Sequence, residues 1–447
     1  MISSTGKFYL ASCLFLPLLA CCALLLFLRR PPPVAALTPP SAEVLEVIEE
    51  AWALGPRNPE ARQRLEVRLE VETNRSDRNR LRFLLGHFAR EGGLFSRAMP
   101  LFALAERNDP LLADDARFAL GKTYLHTGDF RAAYAAFTRL IEETVSEDLK
   151  AAARLERSEI ALHFGNWIDA KRDAFAVLVS APEHLRPRSL FLFAEACARL
   201  GQTKWALDHD YELWLSYPTD PLAKEAWKTI EQLGRPLPEV PLEKRLLRPR
   251  RLLAAGRVEA ALRDLETLLE RREPLPMAEK GDLLLLLAEA QTRLGRFKAA
   301  ERELGSLLEG GDPPHREEAA RSLTRLYLAQ NRRRALERLH RRVSRWETAP
   351  LVVTETAFAR AFLAERNGRR QEAERGYAAL ASVKNPRQAD ALWRLSWMAI
   401  QRGKLREADR RLERFLLVAG EELPKGRYWQ GRVAWHLGNR KRAIASW

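Results

Sequence analysis

Leu120-Gly121-Lys122-Thr123-Tyr124-Leu125-His126-Thr127-Gly128-Asp129-Phe130-Arg131-Ala132-Ala133 reads as the end of one helix, a glycine turn and the start of a second helix. The stretch recurs. A Gly followed five residues later by Ala stands at Gly93/Ala98, Gly128/Ala133, Gly165/Ala170, Gly201/Ala206 and Gly256/Ala261. The series continues at Gly295/Ala300, Gly368/Ala373, Gly403/Ala408 and Gly438/Ala443, with a degenerate copy at Gln330/Ala335. The Ala-to-Ala steps are 35, 37, 36, 55, 39, 35, 38, 35 and 35 residues. A period of about 34 residues predicts a solenoid of helix-turn-helix units, in which each unit buries its apolar face on the next. The expected fold is all-α, a right-handed superhelix of such repeats.

A repeat array changes what 447 residues mean, because a solenoid is one extended body whose core grows with each copy. The 46% apolar content is ample for that core, and the 23 Gly and 25 Pro fall mostly as punctuation between apolar stretches. The long step between Ala206 and Ala261 leaves room for an extra helix over Pro221 to Leu233. Gly234-Arg235-Pro236-Leu237-Pro238-Glu239-Val240-Pro241 then breaks the helical pattern.

Phe8 to Leu28 is a nearly uninterrupted apolar run of 21 residues, ending in Arg29-Arg30 and Pro31-Pro32-Pro33. As a helix it reaches about 30 Å, enough to span a bilayer. The absence of a small-residue cleavage site directly after the run favours an uncleaved transmembrane anchor over a signal peptide. A lipidation box at Cys21 or Cys13 is the weaker alternative. The organisation expected is a signal-anchor at 1–30, a Pro-rich spacer at 31–41, repeats over 42–234, a joint at 235–241 and repeats over 242–447. The location expected is the bacterial inner membrane, single-pass, with the repeats in the periplasm. In the last copy Trp447 occupies a large-apolar position of the second helix, so the array is expected to be cut short in mid-repeat.

The 74 Lys+Arg against 59 Asp+Glu give a formal charge of +15, which favours anionic partners. Aromatic residues do not interleave with the basic runs in the manner of a strand-stacking groove, so nucleic acid is not expected. Three of the four Cys lie in the apolar run, leaving only Cys197 in the body, and no zinc site can be built from that set. The eight His show no metal-ligand spacing, and no catalytic constellation or cofactor motif is present. Ala116 to Thr123 matches a relaxed phosphate loop, but it is itself an amphipathic helix rather than a turn between strand and helix.

Leu85-Gly86, Gly93, Ala98 and Phe102, then Leu120-Gly121, Tyr124, Gly128, Ala133 and Phe137, resemble the signature of the tetratricopeptide repeat. In that pattern the packing residues are Gly93, Ala98, Gly128, Ala133, Gly165, Ala170, Gly201, Ala206, Gly295, Ala300, Gly403 and Ala408. A narrower resemblance rests on Ala391-Leu392-Trp393-Arg394-Leu395-Ser396-Trp397 and Tyr428-Trp429-Gln430-Gly431-Arg432. These are similar to segments late in the N-terminal α-superhelical domain of soluble lytic murein transglycosylases. That resemblance implies that Trp393, Arg394, Trp397, Tyr428, Trp429 and Arg432 belong to the non-catalytic helical module of a peptidoglycan-cleaving enzyme. Peptidoglycan or cell-envelope proteins would then lie in the superhelix groove. No Glu-Ser dipeptide of the kind that carries the family's catalytic acid occurs in the chain, so no catalytic residue is carried over. The alternative is a membrane-anchored scaffold for protein–protein interactions in the envelope.

Overall fold

The computed structural model describes residues 39–180, 182–234, 236–270, 276–346, 349–420 and 423–447. The expected anchor at 8–28 lies outside them. Among the described residues every regular element is a helix, and none is long and apolar enough to cross a membrane.

The chain divides into two compact units, residues up to Leu192 and Phe193–Trp447, with the boundary inside the helix Arg186–Arg199. The first unit opens with a pair outside the repeat pattern. Ser41 caps Ala42–Leu54 by accepting from the Val44 amide, and Asn58 caps Pro59–Val71, whose first residue is proline. Three hairpins follow: Arg75–Glu91 with Phe95–Asn108, Ala113–His126 with Phe130–Glu143, and Glu147–His163 with Trp167–Ser180.

In the second unit Thr203–Ser216 is followed by the extra helix Pro221–Leu233, which ends at Gly234 in the left-handed region. The Pro-rich segment after it lies within this unit. Leu237 and Val240 pack against Tyr211, Trp214, Trp227 and Ile230, and Arg248 lies 3.9 Å from the Trp214 ring while donating to its carbonyl at 2.9 Å. Leu237 and Val240 thus anchor the segment on the aromatic cluster. Five further hairpins start from Leu247–Ala254 with Val258–Glu270, Met277–Arg293 with Phe297–Gly310, and Pro313–Ala329 with Arg333–Val343. Pro350–Arg366 with Arg370–Ala381 and Gln388–Gln401 with Leu405–Ala419 complete them, and Pro424–His436 with Arg440–Ser446 ends the chain.

One turn geometry joins the two helices of each hairpin. Gly128 sits at φ 77°, and the Asp129 amide donates back to the Tyr124 carbonyl at 2.9 Å, closing the first helix in a Schellman turn. Only glycine adopts that φ without a Cβ penalty. The Asp129 side chain then caps the second helix through the Ala132 amide, and Ala133, one position further on, is fully buried. The degenerate copy corrects the sequence register by one residue. Asn331, not Gln330, takes the left-handed conformation (φ 55°), and the Arg332 amide donates to the Tyr327 carbonyl. The residue five positions on is consequently Leu336, fully buried, and Ala335 before it is buried as well. Asparagine is the side chain that best tolerates this region after glycine, which is why the turn survives the substitution.

Close approach within a hairpin is set by a second pair of positions. A Cβ at Gly86 would fall 2.8 Å from the Phe102 ring, and one at Gly121 2.7 Å from Phe137. Gly431 faces Trp447 in the same way. In each case a glycine on the first helix matches a ring sixteen residues later on the second. The equivalent pair in other copies is Ala288/Leu304, Ala361/Tyr377 and Ser396/Leu412, with all these residues buried. A small residue is thus matched by a large one at interior packing density. Gly121→Ala should lower unfolding free energy by about 2 kcal/mol, the cost of an extra methyl in a filled core, measurable by urea titration.

At this position one copy holds Thr324 and His340 instead. His340 Nδ1 lies 2.9 Å from Thr356 Oγ1, and burial, aided by the Arg360 charge, pushes its pKa down to about 4. Folded His340 is neutral, so protons bind preferentially to the unfolded chain, and stability falls as pH drops from the unfolded value of about 6.5 towards 4. His340→Leu, the residue used at Leu304 and Leu412, should remove about 2 kcal/mol of that acid sensitivity between pH 7 and 4.5. Thermal melts of the two proteins across that range give the measurement.

Candidate binding groove

The first helices of the second unit expose a recurring stripe. Counting back from the turn residue, positions ten and six before it are Leu285/Glu289, Arg321/Arg325, Phe358/Phe362, Trp393/Trp397 and Tyr428/Arg432. Positions four apart lie one above the other on a helix face, so each pair projects together. Open cavities lie between successive first helices along this stripe. One of about 540 Å³ has Leu285, Leu286, Glu289 and Arg293 on one wall and Glu318, Ser322 and Arg325 on the other. The next, about 380 Å³, lies between Arg321, Arg325 and Leu328 on one side and Glu355, Phe358, Phe362 and Arg394 on the other. A third, about 420 Å³, is bounded by Phe362, Glu365, Arg366, Arg394, Met398 and Arg402.

The charge is lopsided. The last two cavities are lined by seven arginines and only two glutamates, Glu355 and Glu365. Arg394 is held over the Phe362 ring at 4.7 Å and lies 3.7 Å from Glu365. Glu365 also accepts from the Tyr377 hydroxyl at 2.7 Å, and burial first, then that bond, pushes the Tyr377 pKa up, so the phenol stays a donor. Arg402 is fixed by Glu374 at 2.7 Å; burial opposes ionisation of Glu374, but hydrogen bonds from Arg402 and Arg411 hold its pKa below the usual range. Arg321, Arg325 and Arg387 are likewise paired, with Glu355, Glu318 and Asp390 among their partners, so five of the seven guanidiniums are held by carboxylates.

The residues singled out by the narrower resemblance continue this stripe. Trp393 and Trp397 have ring centroids 6.4 Å apart, Trp397 meets Trp429 edge-on at 4.8 Å, and Tyr428 meets Trp429 at 5.6 Å. Lys425 Nζ lies 4.2 Å from the Trp393 ring, and Arg432 donates to the Tyr428 hydroxyl at 3.2 Å. Arg394 points instead into the adjoining cavities. The pairs Arg321/Arg325 and Phe358/Phe362 escaped the sequence reading, although the spacing from the turn finds them once Asn331 is taken as the turn residue. Among the described residues no three His, Cys, Asp or Glu gather as metal ligands. The Ala116–Thr123 stretch is interior to a helix, with Lys122 paired to Glu156 at 2.9 Å.

Two stretches of the chain, residues 118–184 and 250–316, match the family model described as tetratricopeptide repeat. No curated protein matches the sequence. Among solved structures, a tetratricopeptide repeat protein from Parabacteroides merdae aligns over 63% of this chain and 98% of its own, at 15% identity and a TM-score of 0.34. The TPR domain of P58(IPK) aligns over 81% and 99%, at 16% identity and a TM-score of 0.25. The human IFIT1 dimer with PPP-AAAA aligns over 92% and 94%, at 17% identity and a TM-score of 0.30.

Proposed function

We propose that the chain is a non-catalytic scaffold that holds a polypeptide segment of a partner protein along the first-helix groove of its second unit. The observation that carries this is the run of three open cavities between successive first helices, with arginine, phenylalanine and leucine at repeat-related positions. Alternating apolar and cationic walls suit an extended or helical segment whose own side chains alternate in kind. A photo-crosslinking residue placed at Ser322 or Gln401 in the producing cell should yield a defined protein adduct. Arg366→Glu/Arg394→Glu should reduce it about tenfold, the size of a lost charge-assisted contact or two. Adducts of equal yield with and without the reversal, or from a control at Arg172, overturn the assignment.

The setting proposed is the bacterial cell envelope, with residues 8–28 as the membrane anchor and the repeats on the periplasmic side. A second function is favoured by one observation, the aromatic cluster of Trp393, Trp397, Tyr428 and Trp429 at the end of the groove. Aromatic faces beside cations suit an anionic wall glycan as well as a peptide. Under that reading the chain is the helical module of a lytic transglycosylase-like protein. Retention on purified murein sacculi at low salt, lost in Trp397→Ala/Trp429→Ala, is its expected mark; no retention at low salt removes it.

A further inference from the structure

The second helices of the same unit carry a different regularity on the surface away from the cavities. Seven residues past the turn residue stand Arg263, Arg302, Arg338, Arg375 and Arg410, one in each of five successive hairpins, and all five are exposed. None of them lines a cavity of the groove. Among the described residues, Arg263, Arg338, Arg375 and Arg410 make no ion pair, and Arg302 meets only its chain neighbour Glu303 at 3.1 Å. Four residues earlier, one turn along the same helix face, a second row reads Glu259, Lys298, Arg334, Gln371 and Arg406, three of its five members basic. In the first unit the equivalent positions read Pro100, Ala135 and Arg172, so the ladder belongs to the second unit alone.

An ordinary solvated helix face mixes both signs. The exposed residues of the five ladder helices, Val258–Glu270, Phe297–Gly310, Arg333–Val343, Arg370–Ala381 and Leu405–Ala419, comprise twelve Lys or Arg, Arg370 on the groove side among them, against four carboxylates, Glu259, Glu270, Glu309 and Glu413. Such a face repels itself unless an anionic surface lies against it. We propose that this arginine ladder is a docking surface for an anionic lipid bilayer. Three features select that occupant. The cations are spread one per repeat outside the three groove cavities, which fits a sheet of headgroups better than a folded ligand. Neither row contains an aromatic residue, so bases of a nucleic acid find nothing to stack on. On the reading of the 21-residue apolar run from Phe8 to Leu28 as a membrane anchor, proposed above, the chain's own sequence brings it to a bilayer. Basic residues near an anionic leaflet each add attraction that dies away within a Debye length, so a ladder acts additively and is released by salt.

The test uses the full chain reconstituted into vesicles of phosphatidylcholine alone or of phosphatidylcholine with phosphatidylglycerol, with phenylglyoxal labelling of arginine read by mass spectrometry. Insertion of the apolar run is common to both vesicles and drops out of the comparison. The five ladder arginines should label at least about threefold more slowly on the anionic vesicles at about 50 mM salt and recover at about 500 mM. Arg97, Arg139 and Arg172, whose side chains are 59%, 61% and 64% exposed in the first unit, should label equally on both. Arg338→Gln/Arg375→Gln, both at exposed positions that leave packing untouched, should restore fast labelling at the remaining three. Equal rates on the two vesicles, or uniform slowing that includes the first-unit controls, overturns the proposal. Protection by a single-stranded oligonucleotide with none by anionic vesicles overturns it too, in favour of nucleic acid.

Discussion

Asp210→Leu is expected to stabilise the protein at pH 7, by about 3 kcal/mol. Asp210 lies at the large-residue position of its hairpin, where other copies hold Phe102, Phe137, Leu304 or Leu412, yet it is 98% removed from solvent. Burial, and secondarily the nearby Glu195 charge, pushes its pKa up to about 8. The folded chain therefore holds a neutral carboxylic acid at pH 7, whereas the unfolded chain ionises it at about 4. The sign follows: stability is full below the unfolded value and is lost as pH rises towards 8, beyond which the loss levels off. The full linkage would exceed 4 kcal/mol at pH 7, and local relaxation reduces it to the value given. Leucine suits the site because Ala194, the small residue sixteen positions earlier, matches the Ala288 that faces Leu304. Melts of both proteins from pH 4 to 9 should show the variant's advantage over the parent growing as pH rises towards 8 and then levelling off. Coincident curves would mean that Asp210 ionises freely in the folded state.

Arg157→Ala is expected to act in the opposite direction, destabilising by about 3–5 kcal/mol. Arg157 grips Asp173 in a two-point fork, Nε to Oδ2 at 2.6 Å and Nη2 to Oδ1 at 2.7 Å. Its third nitrogen donates to Thr138 Oγ1 at 3.2 Å, and its guanidinium lies 5.8 Å from the Tyr134 ring. One side chain thereby joins both helices of its own hairpin to the second helix of the preceding one. Only 4% of the Asp173 side chain is exposed, and among the described residues no other cation reaches it, so truncation strands a buried charge. Arg157→Met/Asp173→Leu should recover most of the loss, because an apolar pair of similar volume avoids desolvating two ions. Urea unfolding of the single and double variants separates the two effects. A double variant as weak as the single would show that the charge pair itself, rather than the orphaned carboxylate, holds the hairpins together.

The fold was legible because the turn leaves a chemical mark: a left-handed residue selects glycine, and a crowded position five residues on selects alanine. Both marks fail together at Asn331 and Leu336, where a second residue type tolerates the turn and a larger one fills the core, and there the sequence register slips by one. The ends of the extra helix at Pro221 and Leu233 were readable from the proline that opens it and the Gly and Pro residues that follow it. Asp210 was not, since a carboxylate on an amphipathic helix carries no sign of which way it faces until the hairpin register is known. The groove was half legible. Trp393, Trp397, Tyr428 and Trp429 stood out by composition, whereas Arg321, Arg325, Phe358 and Phe362 become part of the same stripe only when distances are counted from each turn. The arginine ladder needs the same counting, because five residues scattered through 148 have no visible relation in the linear chain.

The match of small to large residues within a hairpin has a consequence for how such an array can grow or be shuffled in a genome. Gly86 with Phe102, Gly121 with Phe137 and Gly431 with Trp447 each lie inside one hairpin. A crossover between hairpins transmits each pair intact, while one at a turn would set ring against methyl or leave a void. The hairpin is then the heritable unit, and turns are poor breakpoints despite lying at the surface. Gly281 marks an exception, because its close neighbour is His315 on the first helix of the following hairpin. There two consecutive hairpins must be inherited together.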